Sequence, residues 1–201
     1  MADPHPNTRF ETFCDGVFAI AITLLVLDLK IPASEKIVTS RDMWLAIKDL
    51  GPAIVAVVVS FVVIFITWVN HHAAFKLVDK SSVAFIFANG LLLLTVVFMP
   101  FPTSLVGEHL LTDHAAPAVV IYNAVTALQA VGWILVSEVA LRSRLTKDEK
   151  SAAVMRVNRR NGYFALVVYS LLALVAFWFP VTIAVVTAML WAYWLVLALR
   201  R

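Results

Sequence analysis

Three charged residues begin an otherwise apolar segment near the amino terminus. Arg9, Glu11 and Asp15 lie just before or at the start of an uncharged run from Gly16 to Leu27. A helix needs about 20 residues to cross a bilayer, so this segment can cross only together with its charged turns. An ion at the bilayer centre costs about 3 kcal/mol or more, and such a helix must therefore turn its charges toward protein or water. We expect this helix to face the interior of an assembly.

Residue types that commonly perform catalysis are not arranged for it. His71 and His72 are adjacent, so on a helix they point about 100° apart, whereas two metal ligands on one face need an i, i+4 spacing. The sequence contains no Gly-x-Ser-x-Gly, phosphate-binding glycine loop, His-Glu-x-x-His or Cys-x-x-Cys motif. Its one cysteine, Cys14, is more typical of helix packing than of redox chemistry. We predict no enzyme activity, catalytic residue, metal site or cofactor.

The apolar part of the same segment carries a regular stripe. Ile20, Thr23, Leu24 and Leu27 fall at i, i+3, i+4 and i+7, which places them on one face of a helix. A stripe of this kind alone indicates packing more often than function. The charged residues before it favour an inward-facing helix, because a helix that faced lipid would expose those charges.

The composition identifies an integral membrane protein. Of the 201 residues, 62% are hydrophobic and the mean hydropathy is +0.89, whereas apolar residues make up about half of soluble domains. Reading uncharged runs as spans predicts an all-α fold, one membrane domain over residues 1–201 with six transmembrane helices. The predicted helices lie at approximately 8–29, 51–71, 81–107, 115–141, 158–179 and 181–200. Only Pro180 separates the last two, which we interpret as a hairpin in preference to one broken helix.

The basic residues predict the orientation. Of the 16 lysines and arginines, only Lys30, Lys36, Arg41 and Lys48 fall on one side of the predicted spans. The positive-inside rule then places both termini in the cytoplasm. Contact with lipid head groups explains the basic pI near 9.2, so we expect a bilayer partner and no nucleic acid. The opening residues MADPHPNT lack the pattern of a removable signal peptide.

Several motifs resemble the transmembrane protein 175 family, which comprises the lysosomal potassium channel and its prokaryotic relatives. Arg9, Phe13 and Asp15 match the family signature Arg-x-x-x-Phe-Ser-Asp, with Cys14 in place of the serine, and GVFAIAITLLVLDLKIP continues the match. WVNHHAAF from Trp68, NGLLLL from Asn89 and PFPTSLVGEH from Pro100 resemble the end of the family's second helix, its third helix and the exit from that helix. The resemblance therefore extends over most of the chain.

The resemblance implies an architecture and a site. A single six-helix unit is similar to the prokaryotic members, which implies a homotetramer in a prokaryotic plasma membrane with a central pore lined by the first helix. It implies a pore constriction of Ile20, Leu24 and Leu27 and a hydroxyl layer at Thr23. It also implies a polar network that braces the pore helix, formed by Arg9, Phe13, Asp15, Trp68, His71 and Asn89.

The function that follows is a potassium-preferring cation channel for monovalent cations. No Thr-Val-Gly-Tyr-Gly filter is present, so we expect modest selectivity that rests on the lower dehydration cost of the larger ion at an apolar ring. Glu11 and Asp15 are also candidates for an acidic ring at the pore mouth. Two alternatives remain open: an ion- or proton-coupled transporter that uses Asp15, Glu138 or the histidines, and a non-conducting membrane scaffold.

Overall fold

The computed structural model describes residues 7–30 and 37–199 and is helical throughout this part, apart from short connections. In chain order the helices are α1 (Thr8–Leu24), a 3₁₀ turn (Leu25–Asp28), α2 (Ser40–Asp49), α3 (Gly51–Phe75), α4 (Val83–Phe98), α5 (Pro100–His109), α6 (Ala115–Arg142), α7 (Glu149–Val175) and α8 (Pro180–Leu199). An isolated antiparallel bridge between Val78 and Thr146 joins the α3–α4 and α6–α7 connections.

Four segments of the described chain are long and apolar enough to cross a membrane. They are Thr8–Leu27, Gly51–Phe75, Val83–His109 and Ala115–Arg142. Within α8, Pro180–Val196 forms a shorter apolar stretch. Helix α7 carries Arg156, Arg159 and Arg160 in its first half, so its uncharged part is only its second half. The fold is therefore an all-helical membrane protein with four clear candidate spans.

Two helices differ from the expected boundaries because capping residues start them. Helix α2 lies where the sequence suggested only a loop, and Thr39 caps it by accepting from the backbone N–H of Asp42 at 3.2 Å. The Asp42 carboxylate in turn accepts from the Thr39 backbone N–H at 2.8 Å. Helix α7 begins at Glu149, not at 158, because Asp148 accepts from the Ser151 backbone N–H at 2.6 Å. Hydropathy does not register such caps.

The cap of α7 also responds to pH. The hydrogen bond from Ser151 holds the pKa of the Asp148 carboxyl below its ordinary value. Because the pKa of Asp148 is lower in the folded protein than in the unfolded chain, its carboxylate stabilises α7 fully when the pH is above the Asp148 pKa of the unfolded chain. That contribution is lost as the pH falls through the folded-state pKa.

Prolines account for two further boundaries. The predicted third helix at 81–107 is divided into α4 and α5 at Met99 and Pro100, since proline lacks the N–H that would continue the α4 hydrogen-bond ladder and favours the first turn of a new helix. Pro180 likewise begins α8, and α7 and α8 are two separate helices that pack against each other.

Helix α6 is the centre of the packing. It contacts α4, α5, α7 and α8, and more than half of its length is buried. Small residues let the helices approach closely: a Cβ added at Gly132 would lie 2.9 Å from the Leu92 Cα of α4. The same distance separates a Cβ at Gly107 of α5 from the Ala53 Cα of α3. Close approach between backbones is typical of helix packing in membranes.

Buried side-chain hydrogen bonds join the helices across the core. Gln129 of α6 donates to the Thr67 hydroxyl of α3 at 3.0 Å, and Thr187 of α8 donates to the Asn123 carbonyl oxygen of α6 at 2.9 Å. At the end of α6, the carboxylate of Glu138 accepts from Arg159 of α7 at 2.5 Å. The first two bonds satisfy polar groups that would otherwise be unpaired in an apolar environment, whereas Glu138 and Arg159 are only partly buried.

We predict that Gly132→Ala destabilises the protein. The added methyl group meets the backbone of Leu92, so α4 and α6 must separate, and we expect the free energy of unfolding to fall by about 1–3 kcal/mol. Thermal unfolding of the purified protein in detergent measures the change. Gly90→Ala is the matched control, since a Cβ at Gly90 meets nothing within 4 Å. Equal melting temperatures for the two variants would contradict the close approach.

Candidate pore helix and its support

Helix α1 has one buried face and one uncovered face. Cys14, Phe18, Ala21 and Leu25 are buried, and α1 packs on α3 and α4. On the other side, Ile20 is 59% exposed, Leu24 37% and Leu27 71%. The three predicted constriction residues therefore lie together on the side of α1 that its own chain leaves uncovered.

The end of α1 tightens into a 3₁₀ turn, which the sequence pattern did not predict. The turn covers Leu25–Asp28. In this geometry side chains three residues apart eclipse each other, so Leu27 comes directly below Leu24 along the helix. The rise is also larger, about 2 Å per residue, which separates the two side chains by about 6 Å along the axis. The tighter turn thus keeps Leu27 on the stripe.

Thr23 lies on the exposed side of α1, in the same region as the aliphatic residues. Its hydroxyl donates to the backbone carbonyl oxygen of Ile20 at 2.9 Å. Because the hydroxyl proton is used within the helix, both oxygen lone pairs remain available to an approaching cation or its water.

Two polar contacts hold the first turns of α1 against α3. The Trp68 indole N–H donates to the Asp15 carboxylate at 2.8 Å, and the Nδ1 atom of His72 lies 2.9 Å from the Glu11 carboxylate. Glu11 and Asp15 are four residues apart on α1, and Trp68 and His72 are four residues apart on α3. The earlier residue of α1 contacts the later residue of α3, and the later residue of α1 contacts the earlier one. Helices α1 and α3 are therefore antiparallel and are joined over one turn by two successive contacts.

Behind these contacts, His71 joins α3 to α4. Its ring is buried and packs between Phe18 and Phe75, with ring centroids 5.2 and 4.7 Å away. Its Nε2 atom lies 3.1 Å from the Asn89 carbonyl oxygen. The Asn89 amide donates to the Phe85 carbonyl at 2.7 Å, so its oxygen must accept from the histidine. Asn89 thereby fixes the tautomer of His71, with the proton on Nε2.

Arg9 and Asp15 are not paired with each other in the described chain. Arg9 is exposed. Six residues turn through about 600° of an α-helix, which leaves the two side chains about a third of a turn apart. Phe13, at 61% exposure, also points away from the contacts with α3.

Glu11 and Asp15, the candidates for an acidic ring at the pore mouth, are both engaged in contacts within the chain. The carboxylates of Glu11 and Asp15 both bond side chains of α3. From the sequence alone, His72 is considered only as a metal ligand or a transporter residue, and its contact with Glu11 is missed. The available signal was the shared spacing, since Glu11 and Asp15 are four residues apart, as are Trp68 and His72.

These features define the class of protein. It is an all-helical membrane protein in which polar contacts fix a short helix while leaving an aliphatic stripe uncovered. No group of three or more His, Cys, Asp or Glu side chains suited to a metal ion occurs within residues 7–30 and 37–199.

The chain belongs to the TMEM175 family. The family model described as endosomal/lysosomal potassium channel TMEM175 matches residues 9–100. The crystal structure of a lysosomal potassium-selective channel TMEM175 homolog from Chamaesiphon minutus superposes with a TM-score of 0.76 at 36% sequence identity, covering 93% of this chain and 96% of that chain. The family resemblance seen in the sequence is confirmed.

Two curated bacterial relatives are similar over part of their length. A potassium channel of Chamaesiphon minutus is 47% identical over 114 residues, which is 57% of this chain and 56% of the relative. A potassium channel of Streptomyces collinus is 43% identical over 137 residues, 65% of each chain. The chain thus matches less than two thirds of either relative. Both are named as ion channels and not as enzymes, in agreement with the lack of catalytic motifs.

We predict that Trp68→Phe weakens the support of α1. The phenyl ring keeps most of the packing but removes the N–H that Asp15 accepts, so we expect a loss of about 1–3 kcal/mol in stability. Thermal unfolding in detergent measures it, with Trp178→Phe as the control because Trp178 is largely exposed. Asp15→Asn retains an acceptor oxygen for the Trp68 N–H, so it should lose less stability than Asp15→Leu. If Trp68→Phe melts like the control, the bond does not support α1.

Proposed function

We propose that this chain forms a homotetrameric, potassium-preferring cation channel in which four copies of α1 surround a central pore. The observation that carries the proposal is the uncovered stripe of Ile20, Leu24 and Leu27 on a helix whose opposite face is buried. The family gives independent support, since a homolog of similar fold is described as a potassium-selective channel. The permeant ion would be K⁺ among monovalent cations, with no cofactor.

The proposed topology has six spans with both termini in the cytoplasm of a prokaryotic cell. The fifth and sixth spans would be the uncharged second half of α7 together with α8. Two observations support a common cytoplasmic end: the Val78–Thr146 bridge joins two basic connections, and Glu138 pairs with Arg142 and Arg159 close to it. The positive-inside rule favours this end as the cytoplasmic one.

In this pore, the stripe would provide successive apolar rings. Around a fourfold axis, the four copies of Ile20 would form one ring, and Leu24 and Leu27 would form two more. Each ring would pass ions only when its opening is wide enough to hold water. Potassium loses its water more easily than sodium, so a narrow ring favours potassium. The free lone pairs of Thr23 would replace part of the lost hydration.

The polar contacts behind α1 would brace the pore helix and would not contact ions. Asp15, Trp68, His71 and Asn89 form two bonds that tie α1 to α3 and α3 to α4. Arg9 and Phe13 are exposed in the single chain, so in this proposal they brace α1 through contacts with adjacent copies.

A coupled transporter is less consistent with the geometry. The carboxyl groups that would carry the coupled ion are engaged: Asp15 accepts from Trp68, and Glu138 pairs with Arg142 and Arg159. A carrier residue must release and regain its proton or ion in each cycle. Such fixed pairs are typical of structural support.

Purified protein in liposomes tests the proposed function. With equal gradients of K⁺ or Na⁺ and a voltage set by a proton ionophore, we expect K⁺ flux that exceeds Na⁺ flux and does not saturate at millimolar concentration. Crosslinking or native mass spectrometry should give a tetramer. Saturating flux that moves protons when the ionophore is omitted would favour the transporter, and absence of flux from intact tetramers would favour a scaffold.

We predict that Leu27→Ala enlarges the constriction. A smaller side chain at each of four positions widens the ring, so single-channel conductance should rise and the K⁺/Na⁺ permeability ratio should fall. Planar-bilayer recording measures both quantities. Val26→Ala is the matched control: Val26 is also exposed, at 58%, but lies one residue away from the stripe. Equal effects of the two variants would exclude Leu27 from the pore wall.

We predict that Thr23→Ala lowers potassium preference without disrupting assembly. Loss of the oxygen removes a contact that offsets dehydration for K⁺ more completely than for Na⁺, so the permeability ratio should fall. Thr23→Ser, which keeps the hydroxyl, is the control and should retain the ratio. Reversal potentials under mixed-ion conditions give the result, and an unchanged ratio in Thr23→Ala would remove Thr23 from the selectivity mechanism.

A further inference from the structure

A cavity of about 310 Å³ lies between α3, α6, α7 and α8. No residue of α1 lines it, so it is separate from the proposed pore. Its volume is within the range of small-molecule sites, which begins at about 300 Å³. Every residue that lines it is uncharged. A charged ligand would therefore lose its hydration without gaining a counter-charge.

One part of the cavity wall is polar. Asn70 of α3 and Asn158 and Asn161 of α7 line it, and the two residues of α7 share a face because they are three positions apart. All three side chains are half-buried, and none of them hydrogen-bonds another residue in the described chain. Half-buried amides without protein partners favour an occupant that can form hydrogen bonds.

Another part of the wall is aromatic. Trp133, Tyr169, Trp191 and Trp194 line the cavity. The rings of Tyr169 and Trp191 are stacked, with centroids 5.8 Å apart and planes 20° apart. The indole N–H of Trp191 is buried and has no partner within the described residues. Aromatic walls of this kind bind flat rings well, through large contact area and offset stacking.

We propose that this cavity binds a neutral aromatic compound that carries a hydrogen-bond acceptor such as a carbonyl group. Its ring lies among the aromatic side chains, and its oxygen accepts from the amides of Asn158 and Asn161. A lipid acyl chain would leave these amides unpaired. Water alone would satisfy the amides but would leave the aromatic wall in contact with water, which is unfavourable.

Benzophenone is the probe for this site. It is neutral, has two rings and a carbonyl oxygen, and on irradiation its excited carbonyl inserts into nearby C–H bonds. We expect saturable labelling of the purified full chain in detergent and in liposomes, mapped by mass spectrometry to the cavity-facing segments of α3 and α7. Labels found only on lipid-facing surfaces would overturn the proposal.

Two competitors test the role of the acceptor. Phenyl benzoate keeps an acceptor oxygen, whereas diphenylmethane has the two rings without one. We expect phenyl benzoate to compete with labelling at a concentration about 2- to 10-fold lower than diphenylmethane. Asn158→Leu should reduce this difference. Equal competition by both compounds in the unaltered protein would show that the cavity recognises apolar bulk alone and would overturn the proposal.

A matched pair of filling variants locates the site. Ala165→Phe fills this cavity and should abolish saturable labelling. Ala188→Phe adds the same bulk to a separate, more apolar cavity between α3, α5, α6 and α8 and should leave labelling unchanged. The reverse pattern would assign the binding to the second cavity and contradict the proposal.

Discussion

The structure depends on the hydrogen bond that the Asp15 carboxylate accepts in the otherwise apolar helix α1. Asp15 lies about one turn before the aliphatic stripe of α1 and is half-buried, and the indole N–H of Trp68 donates to its carboxylate. Because the donor belongs to α3, the bond fixes the rotation of α1 about its axis. That rotation determines which side of α1 is buried and which remains uncovered. The position of the stripe is thus a consequence of where the charge finds its partner.

The remaining helices pack behind this arrangement and support it. Helix α6 packs against α4, α5, α7 and α8, and Gly132 allows its backbone to approach Leu92 of α4. Helix α4 in turn holds His71 through Asn89, directly behind the contact of α1 with α3. Small side chains at the helix contacts and buried hydrogen bonds between the helices replace the hydrophobic driving force that is absent between helices in lipid. The proposed gate is made of side chains that their own chain leaves partly uncovered, and it requires such a support.

The two proposed sites use different physical properties of the same fold. The stripe of α1 presents aliphatic side chains with no polar group except Thr23, which suits the passage of an ion that is held only weakly. The cavity between α3, α6, α7 and α8 combines amides and aromatic rings with no charge, which suits a neutral molecule that stays bound. Because no helix segment lines both sites, a substitution in one can leave the other intact.

The sequence by itself determined the class of protein, the helical fold, the family and the stripe on the first helix. The class, the fold and the stripe follow from composition, uncharged runs and local periodicity, whereas the family follows from the resemblance of short motifs to those of known members. Only the tertiary structure decided that Asp15 pairs with Trp68 and not with Arg9, that Glu11 meets His72, and that α2 and α7 start at caps. A hydrogen bond between α1 and α3 depends on how two separate helices are offset and rotated relative to each other, and the pattern within one helix does not encode that relation.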